Sequence, residues 1–439
     1  MLEDNSGAGG CPQGPMSVPL RLFDAVERAL CTSPRTQAAW AEVKAAAARV
    51  GESKAAYLPT LQGSAEYIRE HVSTEVTHDP ALKSSYGQGV NEESLSLSWV
   101  LYDFGYRSAS LNGNRALLAA AQASQNGTLQ SVFAAVAKDY FDAQSADAKV
   151  RSTQRIEEAA KQILDAAVAR VSRGVAPVTD QLQANTAYAE AVYQRAKAVA
   201  DSRAALGALA LDMDMPPDQG LSLQVSNQEV VPDTGFVQSV HDLVDDAIRT
   251  HPSVVAAEAQ WRAATEKVRS VRALGWPTLS IVGQLSYSGQ PVSASLGQPE
   301  LPAVTHDNYI GMKLSVPLFE GFNRHYLIHE AEAEEQEQEQ ILRDAKRRVA
   351  GGVWTSFQSL EADGENLRNA DTLLRSAQES FEAVRHRYQS GVGSILELLS
   401  SQNALASAEQ RRIQAQSDWR TARIQLALSL GKLGMWAVE

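Results

Sequence analysis

The sequence predicts a mainly α chain with β-strands, built twice over, whose few strands belong to a barrel shared with other copies of the chain. Three observations predict it. Arg173-Gly174-Val175 and the following Gln181-Leu182-Gln183-Ala184-Asn185 return as Ser390-Gly391-Val392 and Leu398-Leu399-Ser400-Ser401-Gln402, with Gly174 and Gly391 217 positions apart. The same offset joins Arg170 to Arg387, Arg195 to Arg412, Leu101-Tyr102-Asp103 to Leu318-Phe319-Glu320, and Arg107 to Arg324. Within each half the apolar period switches from 3.6 to 2 and back. Finally, 439 residues could hold two or three ordinary domains, yet aromatics are only 6% and Ala is abundant. Long Ala-rich helices packed side by side fit that composition better than a thick globular core.

Each copy opens with a helical stretch, Leu20 to Lys54 and Phe236 to Arg272. A proline ends each passage into the strands, because it lacks the N–H and clashes with the preceding turn. After Pro59 and Pro277 the period becomes 2: Leu279, Ile281, Gly283, Leu285 and Tyr287 alternate with small or polar residues. A variable segment follows, about residues 71–91 and 289–306. A second strand comes next, with Leu95, Leu97, Trp99 and Leu101 in one copy and Ile310, Met312, Leu314, Val316 and Leu318 in the other. Long helices are expected from about Tyr106 to Ser172 and from about Asn323 to Gln389, each about 100 Å at about 1.5 Å per residue. A glycine turn and a helix of about 35 residues close each copy. The domain reading is a lead over 1–19, a first repeat over 20–234 and a second over 235–439.

The strands bear on location. No apolar run of about 18 residues exists, so no helix is expected to span a bilayer. Four strands of about 9–11 residues, apolar on alternate positions, carry the weaker signature of transmembrane β-strands. Tyr67, Trp99, Tyr102, Trp276, Tyr287, Tyr309 and Phe319 sit near their ends, as interfacial aromatics do. The competing reading, a soluble antiparallel sheet on a core, has the same period; the long helices weigh against it because they leave no compact core to cover. Four strands cannot close a membrane barrel, which takes about eight, and an open edge in lipid is forbidden. Three chains, taken as the smallest count, would supply twelve strands and a matching ring of twelve helices, with four chains as the alternative.

In this order and duplicated, a set of short motifs resembles the TolC-type outer-membrane factors, over about Leu20 to Leu433. The motifs are Ala56-Tyr57-Leu58-Pro59-Thr60-Leu61 and Gly275-Trp276-Pro277-Thr278-Leu279; Leu101-Tyr102-Asp103-Phe104-Gly105 and Val316-Pro317-Leu318-Phe319-Glu320-Gly321; and the turns at Arg173-Gly174-Val175 and Arg387-Tyr388-Gln389-Ser390-Gly391. The resemblance implies a TolC-like fold: a homotrimer with a 12-stranded outer-membrane β-barrel continuous with a long 12-helix periplasmic α-barrel, girdled by an equatorial belt from Asp212 to Pro232 plus the C-terminal segment. It implies an exit duct in the outer membrane of a Gram-negative bacterium, extending into the periplasm and working with a periplasmic adaptor and an inner-membrane ABC transporter or proton-driven pump. Ala29-Leu30-Cys31 with Pro34 and an earlier Cys11 is similar to the cyclolysin-secretion (CyaE-like) branch, which exports RTX-type protein toxins in the type I mode. A drug or metal efflux pump is the alternative, and a helical rod without a pore the second alternative.

The resemblance also assigns a periplasmic gate. Glu397 falls where the family's second-repeat turn has its first constriction Asp, Asp180 at the equivalent place in the first repeat, and Tyr388 at a turn Tyr that contacts the neighbouring helix's Asp. Gly393 stands where the best-known member has a locking Arg, and Ser400 where it has a second Asp. Local helix chemistry competes with the gate reading. Ser394-Ile395-Leu396-Glu397 is a capping box, and Asp180 in a first turn opposes the helix dipole favourably. Gly174 and Gly391 are expected in the left-handed conformation that ends the incoming helices.

Other chemistries find no support. There is no Gly-x-Ser-x-Gly elbow, no phosphate-binding Gly-Lys-Ser/Thr loop and no Cys-x-x-Cys pair, so no enzyme, cofactor or metal is expected. The acidic run Glu330, Glu332, Glu334, Glu335, Glu337 and Glu339 reads as a solvated helix face, and His325 and His329 as exposed helix residues rather than a metal pair. A net charge of −12 argues against nucleic acid. Two cysteines fit an oxidising compartment. Cys11 and Cys31 would close a loop of about 20 residues, worth about 3 kcal/mol by loop entropy; a lipidated Cys11 is the competing reading. Met1-Leu2-Glu3, with no apolar leader after it, reads as an engineered start on a mature chain.

Overall fold

The computed structural model describes residues 18–75, 77, 83–224, 239–289, 301 and 303–433. Its elements run α1 (Leu22–Thr32), α2 (Pro34–Ala55), β1 (Thr60–Thr74), β2 (Ser84–Tyr102), α3 (Tyr106–Ser172), α4 (Val178–Asp212), then α5 (Val240–Thr250), α6 (Pro252–Ala273), β3 (Thr278–Gly289), β4 (Thr305–Ser315), α7 (Asn323–Gln389) and α8 (Ile395–Ser429). One order is followed twice. α3 and α7 have 67 residues each, α4 and α8 have 35 each.

Two expectations need correction. Each opening helical stretch is two helices. The breaks fall at Ser33 and His251, whose extended backbones precede Pro34 and Pro252. A proline disfavours helical geometry in the residue before it but fits the first turn of the next helix. The strands of the first copy are also longer than about 9–11 residues: β1 has 15 and β2 has 19. Their register continues through Glu70↔Gln88 to Thr74↔Ser84, inside the segment expected to be variable. Backbone pairing continues there with only Val72, Tyr86 and Val90 as apolar positions, too few for a period of 2 to stand out.

The chain divides into two compact units. One comprises Val43–Ala120 and Ala257–Leu342 and contains the sheet, an antiparallel β1-β2-β3-β4. Directly paired residues share a face, so the register sorts the side chains. Leu61, Leu97, Gly283 and Ile310 form one row; Gly63, Leu95, Leu285 and Asn308 the next; Trp99, Ile281 and Met312 another. The opposite face carries Gln62, Ser96, Gln284 and Tyr309, and Ser64 with Ser94, whose hydroxyls are 2.8 Å apart. A bulge between Val100 and Tyr102 puts Tyr102, not Leu101, opposite Leu279. From Leu279 to Tyr287 the apolar face runs about 26 Å along the strand, or about 20 Å at a tilt of about 40°, close to the apolar band of a membrane barrel. Within one chain β1 and β4 remain edges.

The strand–helix corners explain why Asp103/Glu320 and Arg107/Arg324 repeat. Buried Arg107 bonds Asp103 Oδ2 through Nε at 2.6 Å and donates to the carbonyls of Val100 (2.7 Å), Leu101 (3.2 Å) and Ala56 (3.3 Å). Its guanidinium lies 4.7 Å from the Tyr57 ring centroid. Asp103 also accepts from the backbone N–H of Arg107 at the start of α3. In the second copy Arg324 pairs with Glu320 at 2.7 Å and reaches the Gly275 carbonyl at 3.5 Å. Gly275 stands where the first copy has Tyr57; a Cβ there would lie 2.8 Å from Arg324 Nη1. Below this corner, Arg272 Nη2 and Thr265 Oγ1 on α6 bond Glu332 and Glu335 of α7 at 2.7 and 2.8 Å. Those two carboxylates therefore face α6 instead of belonging to a wholly solvated face.

The other unit comprises Met1–Glu42, Ala121–Ala256 and Arg343–Glu439. Its core gathers Leu20, Val26, Val136, Tyr140, Leu209, Met213 and Ile424. Tyr140 donates to the Leu20 carbonyl at 3.0 Å, and Leu20 bridges in parallel to Leu223. This is the only part of the expected belt that can be placed, since 225–238 and 434–439 lie outside the described residues. Burial, and then the neighbouring Asp139, push the Asp212 carboxyl up to about 6. Arg195 joins Glu157 at 3.1 Å and Arg412 joins Asp371 at 3.0 Å, so each shorter helix is tied to its long partner by the arginine that repeats.

Removing a charge from a buried pair strands its partner, at about 3–5 kcal/mol, whereas a half-exposed pair contributes about 0–1 kcal/mol. Arg107→Met should therefore lower the thermal unfolding temperature of the detergent-solubilised protein well beyond Arg324→Met. Equal losses in the two variants would contradict the corner assignment.

Candidate functional site

The two helix turns lie in the same unit as the Tyr140 core. α3 ends with Gly174 at φ +70° and α7 with Gly391 at φ +79°. Both close with the same bonds. Gly174 N–H donates to Val171 O and Val175 N–H to Arg170 O; Gly391 N–H donates to Tyr388 O and Val392 N–H to Arg387 O. This is the Schellman arrangement, and it requires the left-handed residue that glycine supplies. Ser394 caps α8 by accepting from Glu397 N–H at 3.1 Å, whereas Pro177 at the start of α4 offers no side-chain cap.

The side chains around these matching backbones differ. Tyr388 is buried with Ile163, Ala167, Ala184, Phe381, Ile395 and Leu398. Arg170 lies 4.7 Å from its ring centroid and donates to its carbonyl at 3.1 Å. The Tyr388 hydroxyl is buried without a hydrogen-bond partner. Burial first, and the charge of Asp180 after it, hold this phenol above its ordinary pKa, with Arg170 opposing. The charge of Asp180 reaches Tyr388, but no hydrogen bond joins them. Exposed Glu397 lies 3.6 Å from Arg387. Sequence reasoning missed Arg170 and Arg387 as members of the site. The signal was available, since they are equivalent in the repeat and each lies in the last turn of its long helix. Ser400 is exposed on α8.

Gly393 is constrained by its surroundings. A Cβ there would meet Tyr388 N at 2.8 Å and Arg387 C at 3.1 Å. The locking arginine of the family's best-known member has no room at this position unless the turn shifts.

The sheet aromatics fall into groups. Phe104 stacks on Trp276 with centroids 5.4 Å apart and meets Tyr102 edge-on at 4.7 Å. Phe319 meets Phe322 edge-on at 5.7 Å. Trp99 donates its indole N–H to the Tyr57 carbonyl at 2.9 Å. Tyr287 lies 5.4 Å from His306, and Tyr67 covers Gly89. Tyr309 departs from the set: it is on the Ser/Gln face and bonds Gln284 at 3.1 Å. Its nearness to a strand end assigns it an interface; the register puts it on the face opposite Ile310 and Met312. Cys31 is half-buried on α1; Cys11 lies outside the described residues, and so does the expected pairing.

A duplicated chain with a four-stranded sheet, apolar on one face, and with charged helix turns defines an outer-membrane channel component. Comparison with known proteins agrees. The model of the outer membrane efflux protein family matches residues 25–211 and 243–432, one stretch in each half, and the chain belongs to that family. Its relatives include Protein CyaE of Bordetella pertussis, 30% identical over 96% of this chain and 86% of that one. Outer membrane protein TolC of Escherichia coli is 22% identical over 94% and 82%. The crystal structure of the outer membrane protein VceC of Vibrio cholerae superposes with a TM-score of 0.76 at 18% identity, covering 93% of this chain and 96% of that one. The fold is TolC-like, the protein is of the outer membrane, and its family is one of channels, not enzymes. The reading as a rod without a pore is set aside.

Overpacking a tight site destabilises it by about 1–3 kcal/mol, and about 1.4 kcal/mol is a factor of ten in an opening equilibrium. Gly393→Ala should accordingly raise tryptic nicking at Arg385 and Arg387 by about tenfold in the assembled protein. Unchanged nicking would show that the turn accommodates a side chain there.

Proposed function

We propose that this protein is the outer-membrane exit duct of a tripartite type I secretion system, passing an unfolded RTX-type protein from an inner-membrane ABC transporter and a periplasmic adaptor to the exterior. The observation that carries the duct reading is the four-stranded sheet with an apolar face and two unpaired edges. In lipid every backbone N–H and C=O must be paired, so the sheet needs copies of itself. Three copies give twelve strands, and the repeats over 20–234 and 235–439 give six hairpins around one wall. The protein cargo rests on the resemblance to the cyclolysin-secretion branch and on the 30% identity to Protein CyaE. A second reading, the outer-membrane channel of a drug or metal efflux pump, is favoured by the family's own description.

The cargo reading is tested by reconstitution. Cells lacking their own outer-membrane factor would be given this protein with a toxin-exporting ABC transporter and its adaptor. Intact RTX protein should appear in the medium, with little change in drug tolerance when a proton-driven pump replaces the transporter. Restored drug tolerance without protein export would transfer the duct to the second reading.

The turns are the proposed periplasmic gate. Asp180 and Glu397 from three chains place six carboxylates around its mouth, with Arg387 beside each Glu397. Clustered like charges favour counter-cations, so a multivalent cation added from the periplasmic side should block current in planar bilayers. In the Asp180→Ala/Glu397→Ala variant the block should weaken and the preference for cations over anions should fall. Retention of wild-type block and selectivity would leave the two residues as helix-terminal charges only. Replacement of Tyr388 should instead raise resting conductance, because its ring fills the space between the two turns.

A further inference from the structure

The first turns of α7 hold a constellation that the duct does not use. His325 and His329 turn their Nε2 atoms toward each other at 3.2 Å, with ring centroids 4.4 Å apart and planes at 88°. Behind them, His329 Nδ1 lies 3.4 Å from Glu332 Oε2, and the other oxygen of Glu332 accepts from Arg272 Nη2 at 2.7 Å. We propose that His325 and His329 form a two-histidine site for a divalent transition cation that prefers imidazole: zinc, copper(II) or nickel.

The geometry already suits such an ion. Metal–imidazole bonds of about 2.0–2.1 Å at a near-tetrahedral angle separate two ligand nitrogens by about 3.3 Å. The two Nε2 atoms stand close to that separation without an ion. In its absence one nitrogen must offer a proton to the other; the cation takes that proton's place between two lone pairs. Glu332 completes the arrangement. A carboxylate facing Nδ1 of His329 favours the tautomer that leaves its Nε2 free, the usual arrangement behind metal-bound histidine. Arg272, on α6, holds that carboxylate in turn.

The platform is rigid. Residues four apart on a helix are surface neighbours, and Ile328 and Ala331 on either side of His329 pack against Val268 and Val271 of α6. Both imidazoles are exposed, so an ion can reach them. No cluster of three or more metal-binding side chains occurs among the described residues, so water completes the coordination and the site is open and exchangeable. Nor does the repeated scaffold demand these residues. At the same offset the first copy has Ser108, Asn112 and Arg115 in place of His325, His329 and Glu332. The corner, its clamp and the long helix form there without the pair.

The test uses the full-length protein, assembled in detergent and free of any histidine tag, titrated calorimetrically with Zn2+, Cu2+ and Ni2+. One cation per chain should bind. His325→Ala and His329→Ala should each weaken binding at least tenfold, and Glu332→Gln should weaken it by about tenfold at unchanged stoichiometry. Because both histidines are exposed, the variants should assemble normally; His325→Gln/His329→Gln, which keeps polar side chains of similar size, serves as a second comparison. The Cu2+ electron paramagnetic resonance spectrum should show two nitrogen donors in the wild type and one in either single Ala variant. Equal affinity in wild type and in the double variant, failure of all three cations to bind, or a single nitrogen donor in the wild type would overturn the site.

Discussion

The rest of the molecule follows from one constraint: inside hydrocarbon a backbone hydrogen-bonding group has no partner except another backbone group. β1 and β4 each expose an edge within a single chain. A soluble sheet can leave such an edge to water or guard it with charge; here the edge residues include Leu61, Ile310, Met312 and Leu314 on the apolar face. The same rows that make the sheet compatible with lipid make its edges intolerable there. Closure by copies of the chain removes both problems at once. It also explains why the sheet needs no core of its own, since its second face is lined by Ser, Gln and Tyr309, as suits a wetted interior.

Duplication preserved backbone devices more faithfully than side-chain partners. Both long helices end in a left-handed glycine with identical bonds, and both strand–helix corners use an acidic residue and an arginine four positions on. Yet Arg107 saturates three carbonyls and stacks on Tyr57, while Arg324 meets a glycine and leaves its Nε buried without a partner. Likewise Arg387 stays with Glu397 in its own turn, while Arg170 crosses to Tyr388 of the other repeat. A glycine cap or a helix-starting acid is dictated by local geometry and survives duplication. A long cation's partner is set by whichever neighbour offers a carbonyl or a ring. The two repeats have different neighbours, so their cations have separate fates.

This difference also governs what was legible in the sequence. The order of elements, the ends of α3 and α7, Gly174, Gly391 and the Ser394 cap could be read because each depends on residues within a few positions. The outer halves of β1 and β2 could not. Apart from Val72, Tyr86 and Val90 their paired residues within 71–91 are polar or glycine, too sparse an apolar pattern to set a period. Nearness to a strand end groups Tyr309 with the interfacial aromatics, although its position beside Ile310 already sets it off the apolar face. Leu101 lost its place to Tyr102 through a bulge that no period announces. The contact of Arg170 with Tyr388 spans 218 residues of sequence, and only the fold brings the two turns together.

The charges at the turns suggest how the proposed gate is held shut. A lock made of an arginine at position 393 would require the turn to shift against the Tyr388 backbone, and Arg387 in the same turn lies 3.6 Å from Glu397. That pair is half-exposed on both sides, at 57% and 50%, so water and salt screen it and it contributes little to closure. Tyr388 is different. Only 4% of it is exposed, and its ring lies between apolar residues of both turns with the Arg170 guanidinium over its face. Parting the turns would expose that ring and break the bond from Arg170 to its carbonyl together. If the turns are the proposed gate, its closure would rest on packing between repeats more than on ion pairing. Screening by salt would weaken the Arg387–Glu397 pair and leave the buried contact of Tyr388 intact.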